Sequence, residues 1–303
     1  MVAPRAVIVH RASELTELLA RHGTRGQVAF FLDQRGQSLA AVEKRHERTR
    51  AALAEVSAGL PLDWRRAMVE RSELPRFVFE PDDVVLVVGQ DGLVANVAKY
   101  LGIQPVIGID PLPGVNAGVL VPHTPAAGVS LAGAARAGEA PICERAMVQV
   151  RTDDGQSLTA LNEVMIGQPG HQSARYTLEV DGRSERQSSS GVIVGTGTGA
   201  TGWCASIARL QAPGMPLPAP TDRSLAWFVR EPWPSPSTGA DLFAGRLDAG
   251  ELTLRVESDQ LVAFGDGMEE DRLSLSWGQR VSVSVAHRTL RTVPSSTGSV
   301  RPG

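Results

Sequence analysis

The sequence has 303 residues, 42% apolar and 21% charged, which excludes a disordered, collagen-like or coiled-coil chain and is long enough for two cores. A net charge of -3 offers no basic excess for a nucleic-acid backbone, and two well-separated cysteines, Cys143 and Cys204, have no metal-ligand spacing. No stretch approaches the ~20 apolar residues that span a bilayer and no signal-like start is present, so the expectation is a cytoplasmic protein with no nucleic-acid partner, no membrane association and no metal centre.

Residues 6–10 form a short β-branched run, and Leu15, Leu18 and Leu19 after Ser13 mark a capped helix up to Gly23. A second apolar run, 28–32, is expected as a strand, followed by an amphipathic helix over 38–58 that carries Leu39, Val42, Leu53 and Val56. Residues 66–69 suggest a third strand, and the unbroken apolar run 84–88 has the pattern of a parallel strand covered on both faces. Gly89-Gln90-Asp91-Gly92 follows, then a helix over 93–101 and a strand over 105–109. Strands alternating with helices make residues 1–125 a Rossmann-like α/β domain.

Past the Pro- and Gly-bearing stretch 111–125 and a small-residue stretch to Ala140, the period changes to two, as in 147–150, 176–180, 252–256 and 281–285. Asp181-Gly182 has the composition of a hairpin turn. Residues 126–293 are therefore expected as a β-sandwich domain, 213–220 as a surface loop and 294–303 as a disordered tail.

Three stretches carry chemistry. Gly89-Gln90-Asp91-Gly92 ends an apolar strand with two glycines around one carboxylate, either a cradle for a phosphate-bearing ligand at the carboxyl edge of the sheet or a turn that only connects strand to helix. Asn162-Glu163 places an amide beside a carboxylate at the start of a strand, a pair suited to a sugar's vicinal hydroxyls and equally at home as an exposed strand start. Residues 191–203 run from a strand into Thr196, Gly197, Thr198, Gly199, Thr201 and Gly202, ending at Trp203; this is a nucleotide-contacting loop with a stacking ring, or a turn with a core tryptophan.

In this order and spacing the three stretches resemble the Gly-Gly-Asp-Gly-Thr, Asn-Glu and Gly-Ser-Thr-Ala-Tyr motifs of the NAD kinase family, over residues 6–293, with 105–109 and Asp266-Gly267 also matching. The segment Phe228-Val229-Arg230-Glu231-Pro232 resembles the mitochondrial-type branch. The resemblance implies an α/β domain followed by a β-sandwich, NAD bound between them, and ATP with Mg²⁺ as phosphoryl donor to the adenosine ribose 2′-hydroxyl. It implies Asp91 as the catalytic carboxylate, with Gly89, Gln90 and Gly92 around it. Asn162 and Glu163 would hold adenosine hydroxyls or base, and Thr198, Gly199, Thr201, Gly202 and Trp203 would line the dinucleotide groove. A homodimer or higher homo-oligomer is implied as well. The sequence departs from the family at Gln90 for glycine, Leu93 for a hydroxyl-bearing residue, Ser190 for a carboxylate and Trp203 for tyrosine. A different hydroxyl acceptor, or a dinucleotide-binding regulator without catalysis, are the alternatives these departures open.

Other features carry less. The six histidines have no metal-binding spacing, and Lys44, Arg45, Arg48 and Arg50 read as a solvated helix face. Ser188–Ser190 lacks the Gly-x-Ser-x-Gly elbow, and Asp266-Gly267 with Glu269, Glu270 and Asp271 reads as an acidic hairpin. No Gly-Lys-Thr phosphate loop and no Gly-x-Gly-x-x-Gly after the first strand are present.

Overall fold

The computed structural model describes residues 3–115 and 118–295, so most of the expected tail lies outside the described residues. The chain forms two units, one running up to Cys143 and resuming at Arg291, the other spanning Glu144–Leu290. In the first, β1 (Arg5–His10) leads to α1 (Glu14–His22), α2 (Arg25–Asp33), α3 (Leu39–Gly59), β2 (Arg65–Glu70), β3 (Val84–Val88), α4 (Asp91–Ala98), β4 (Val106–Ile109), α5 (Pro125–Ala137) and β5 (Cys143–Arg145). The second holds β6 (Val148–Thr152), β7 (Ser157–Ala160), β8 (Glu163–Gly167), β9 (Ala174–Val180), β10 (Arg183–Ser189) and β11 (Val192–Gly195). It continues with α6 (Trp203–Gln211), β12 (Leu225–Val229), β13 (Ala244–Leu247), β14 (Leu252–Val256), β15 (Gln260–Gly265), β16 (Met268–Ser276) and β17 (Arg280–Val285). The chain then returns to the first sheet as β18 (Leu290–Thr292).

The first sheet has the order β2-β1-β3-β4-β18-β5, with β1, β2, β3, β4 and β18 paired in parallel. Every residue of β3 is buried, as its unbroken apolar sequence requires. One face packs Ala6, Ile8, Val84, Leu86 and Val88 against Ala52 and Val56 of α3 and Ala132 and Ala135 of α5.

Two expectations for this unit are corrected. Residues 28–32 are helical, within α2: Thr24 accepts the N–H of Gln27 as an N-cap, and Val28 and Leu32, one turn apart, face a small core with Leu18 and Val42. A run of five apolar residues fits either period, and the i, i+4 pair decides it, leaving Phe30 65% exposed. The small-residue stretch is also a helix, α5, capped by Thr124, started by Pro125 and stopped by Gly138 at φ 75°. Gly128 lets α5 approach β4, since a Cβ there would overlap Ile109. This packing carries the first unit to Cys143 rather than to residue 125.

The second unit contains two antiparallel six-stranded sheets, β10-β9-β14-β17-β6-β7 and β13-β12-β11-β8-β15-β16. Period-two alternation in β9, whose residues are buried at 174, 176, 178 and 180, sends Tyr176 and Leu178 into a core with Val192, Val194 and Trp227 of the other sheet. β8 and β11 are instead buried almost throughout, because their outer face is covered by α6 through Ile193, Phe228, Cys204 and Ala208. The Asp181-Gly182 turn has φ values of 50° and 72° and joins β9 to β10.

Candidate functional site

The first cluster sits where β3 ends. α4 starts at Asp91 with no side-chain cap from Gln90, so its first-turn N–H groups gain nothing from that residue. The Asp91 carboxylate turns toward the segment after β4. Its Oδ2 accepts the N–H of Val119 at 3.0 Å, and its Oδ1 those of Leu120 at 2.8 Å and Val121 at 3.2 Å. That segment lies tight on β4, because a Cβ on Gly108 would overlap the Leu120 carbonyl. It continues to His123, whose N–H donates to the Gly108 carbonyl at 3.2 Å and whose Nε2 lies 2.9 Å from the Val293 carbonyl. A carboxylate has about four acceptor positions, so three backbone donors fix Asp91 in orientation and leave about one for a ligand hydroxyl. Gly92 is exposed with open space where a Cβ would stand, whereas a Cβ on Gly89 would meet the buried Leu93 side chain at 2.8 Å.

The second cluster lies in the other unit. The Asn162 carbonyl accepts the N–H of Thr196 at 2.8 Å, and Thr196 Oγ1 donates to the Leu161 carbonyl at 2.6 Å. The same hydroxyl accepts the N–H groups of Thr198 at 3.1 Å and Gly199 at 3.3 Å, which folds the loop after β11 into a short turn. Thr201 Oγ1 donates to the Thr198 carbonyl at 2.9 Å. Three of the loop's glycines are required by the protein's own atoms: a Cβ would overlap Cys204 Sγ at Gly195, the Ala219 carbonyl at Gly197 and the Asn162 carbonyl at Gly199. Gly202 closes the loop, and Trp203 begins α6 with its side chain 40% exposed and the Arg230 guanidinium 5.6 Å from its ring centre.

Glu163 starts β8 beside this loop. Burial, and secondarily the charge of Asp266, raises its carboxyl to about 7. Burial and the Glu163 charge push the Cys204 thiol up to about 12. Asp266 is the residue whose role sequence reading missed. It stands in the β15–β16 turn at φ 53°, and its carboxylate accepts the N–H groups of Leu161 at 2.8 Å and Asn162 at 2.7 Å. The acidic turn is thus a clamp on the Asn162-Glu163 corner. Its visible signal was Asp-Gly, a pair that permits positive φ.

The structure therefore joins the Asn162-Glu163 and 196–203 stretches, which the sequence separates, into one polar corner, and gives Asp91 a defined set of partners in its own unit. No family model and no curated protein sequence matches the chain. Among solved structures the chain is similar to yeast NADH kinase complexed with NADH, at 14% identity and a TM-score of 0.61 over 97% of this chain and 84% of that one. The architecture, an α/β unit joined to an antiparallel β-sandwich unit, is the NAD kinase fold.

Proposed function

We propose that this protein is an NAD kinase-like phosphotransferase that uses ATP to phosphorylate the adenosine ribose 2′-hydroxyl of NAD or NADH. The observation that carries the reading is the junction of Asn162 and Thr196, 2.8 Å apart through the backbone, which assembles two motifs far apart in the sequence around the desolvated Glu163. In this reading Asn162 and Glu163 bind nucleoside hydroxyls or base, and Thr198, Gly199, Thr201, Gly202 and Trp203 border the dinucleotide. Asp91 uses its remaining acceptor position to take the hydroxyl proton, with Gly89, Gln90 and Gly92 shaping the turn around it. Phosphoryl transfer asks the protein chiefly for positioning and charge neutralisation, which fixed groups of this kind supply.

Among the described residues no group of three His, Cys, Asp or Glu side chains is arranged to hold a metal ion, and magnesium sites in nucleotide enzymes need only one or two carboxylates beside substrate phosphates. Magnesium belongs in this scheme to the nucleotide substrate, as MgATP. The mitochondrial-type affinity, resting on residues 228–232, a cytoplasmic setting and a homo-oligomeric state are parts of the same proposal. The described helices include none long and apolar enough to cross a membrane.

The purified protein incubated with MgATP and NAD or NADH is expected to form NADP or NADPH, detected with an NADP-specific dehydrogenase. Absence of product with both acceptors refutes the reading. A second acceptor class is favoured by one observation: the buried Leu93 side chain fills the space over Gly89 where a hydroxyl-bearing residue is implied by the resemblance. Labelled ATP with a panel of sugars, nucleosides and lipid headgroups separates the two readings, transfer to one of these with NAD inert selecting the second.

A further inference from the structure

A cavity of about 250 Å³ opens at the amino edge of the first unit's sheet. Val84, the first residue of β3, lines it, while Asp91 follows that strand's opposite end. Its lining includes the partly exposed Pro105 and Ile142, together with Arg136 from the last turn of α5, Arg291 from β18 and Asp82. Asp83 also borders the cavity, but its carboxylate is spent on Arg5, at 2.7 and 2.6 Å, and on the N–H of Glu80 at 2.7 Å.

The charges in the lining are differently held. Arg136 reaches Asp82 only at 3.8 Å, with the Asp82 side chain 80% exposed, a solvent-screened pair that a bound anion can replace at little cost. Arg291 donates Nη1 to the Ile103 carbonyl at 2.7 Å, which orients its guanidinium while Nη2 and Nε remain as donors. Two guanidiniums and one exposed carboxylate thus share the cavity lining with apolar side chains. The volume falls below the roughly 300–1,000 Å³ usual for larger ligands, which limits the occupant to a small molecule.

We propose that this cavity binds a small carboxylate with a short branched apolar body, its carboxylate on Arg136 and Arg291 and its alkyl part against Pro105 and Ile142. The site is separate from the phosphotransfer reading and does not depend on it. The test is calorimetric titration of the full chain with isovalerate and with its neutral amide. Isovalerate is expected to bind, the amide to bind on the order of tenfold or more weakly, and Arg136→Met and Arg291→Met each to weaken isovalerate by a similar factor. Ile103→Glu, at a residue 63% exposed and so not needed for the core, adds a negative charge to the lining and gives the same loss if an arginine variant fails to fold. Asp82→Asn, which removes the competing carboxylate, is expected to tighten binding. Equal affinity for acid and amide, no acid binding to the folded wild-type chain, or wild-type affinity in Ile103→Glu overturns the proposal.

Discussion

Asp91 Oδ1 accepts the backbone N–H of Leu120 at 2.8 Å, so the carboxylate proposed to face the substrate is also the anchor of the segment that follows β4. Both roles are tested by Asp91→Asn. The amide can point only one oxygen at three N–H donors, and its own N–H₂ group would oppose at least one of them. We expect a loss of about 1–3 kcal/mol in unfolding free energy. Turnover per folded molecule should fall by ~10² or more, the scale for removing a general base. Thermal melts run beside turnover separate the outcomes: unchanged melting refutes the anchor, and unchanged turnover refutes the base.

Glu163 makes stability depend on pH. Its folded value of about 7 lies above the ordinary 4.5, so between these values the native state holds a proton that the unfolded chain has released. Stability is then fully present below pH 4.5 and declines as pH rises through 7, by up to about 3 kcal/mol. Glu163→Gln should remove this decline. Urea unfolding of both proteins across that window checks it, and parallel pH profiles would refute the assignment.

Much of this architecture was legible because its strands sit in environments that impose a pattern. β3, covered on both faces, reads as an unbroken apolar run, and β9, with one face in the sandwich core, reads as strict alternation. Residues 28–32 of α2 read as a strand because five apolar residues satisfy either period, and the choice is made by Leu18 and Val42 from other helices. α5 is faint in the sequence because alanines and glycines carry little amphipathic contrast, although Thr124, Pro125 and Gly138 mark both its ends. The Asp266 clamp was illegible for a different reason. It depends on the pairing of β15 with β8, which brings the β15–β16 turn to a corner about a hundred residues earlier in the chain.

The glycines divide into two kinds, which substitution to alanine should distinguish. At Gly197 a Cβ would overlap the Ala219 carbonyl, and a backbone neighbour cannot move cheaply, so Gly197→Ala should cost more than about 2 kcal/mol. At Gly92 the Cβ meets open space within α4, so Gly92→Ala should melt at or slightly above the wild-type temperature. If a substrate phosphate approaches the Gly92 backbone, the same alanine raises KM for ATP or NAD. Calorimetric melting and steady-state kinetics read the two effects separately, and equal melting of both variants would refute the distinction.

Trp203 offers an optical report of ligand binding. The residue is 40% exposed and its ring lies near Arg230, so a nucleotide base stacking there should quench its emission. Trp203→Phe should abolish that quenching, and Arg230→Ala should weaken NAD binding by a few-fold while leaving the fold intact. Titration of NAD into wild type and both variants is the measurement, and quenching that survives in Trp203→Phe would place the ligand elsewhere.

The return of β18 to the first sheet has a consequence for synthesis. Val293 donates its N–H to the Val106 carbonyl at 2.9 Å, and its carbonyl lies 2.9 Å from Nε2 of His123. A ribosome must therefore emit the whole β-rich unit before the earlier α/β unit can complete its sheet. Until then the Val106 end of β4 has an unpaired edge, and the nascent protein must keep that end from foreign strands while its own closing strand is still to come.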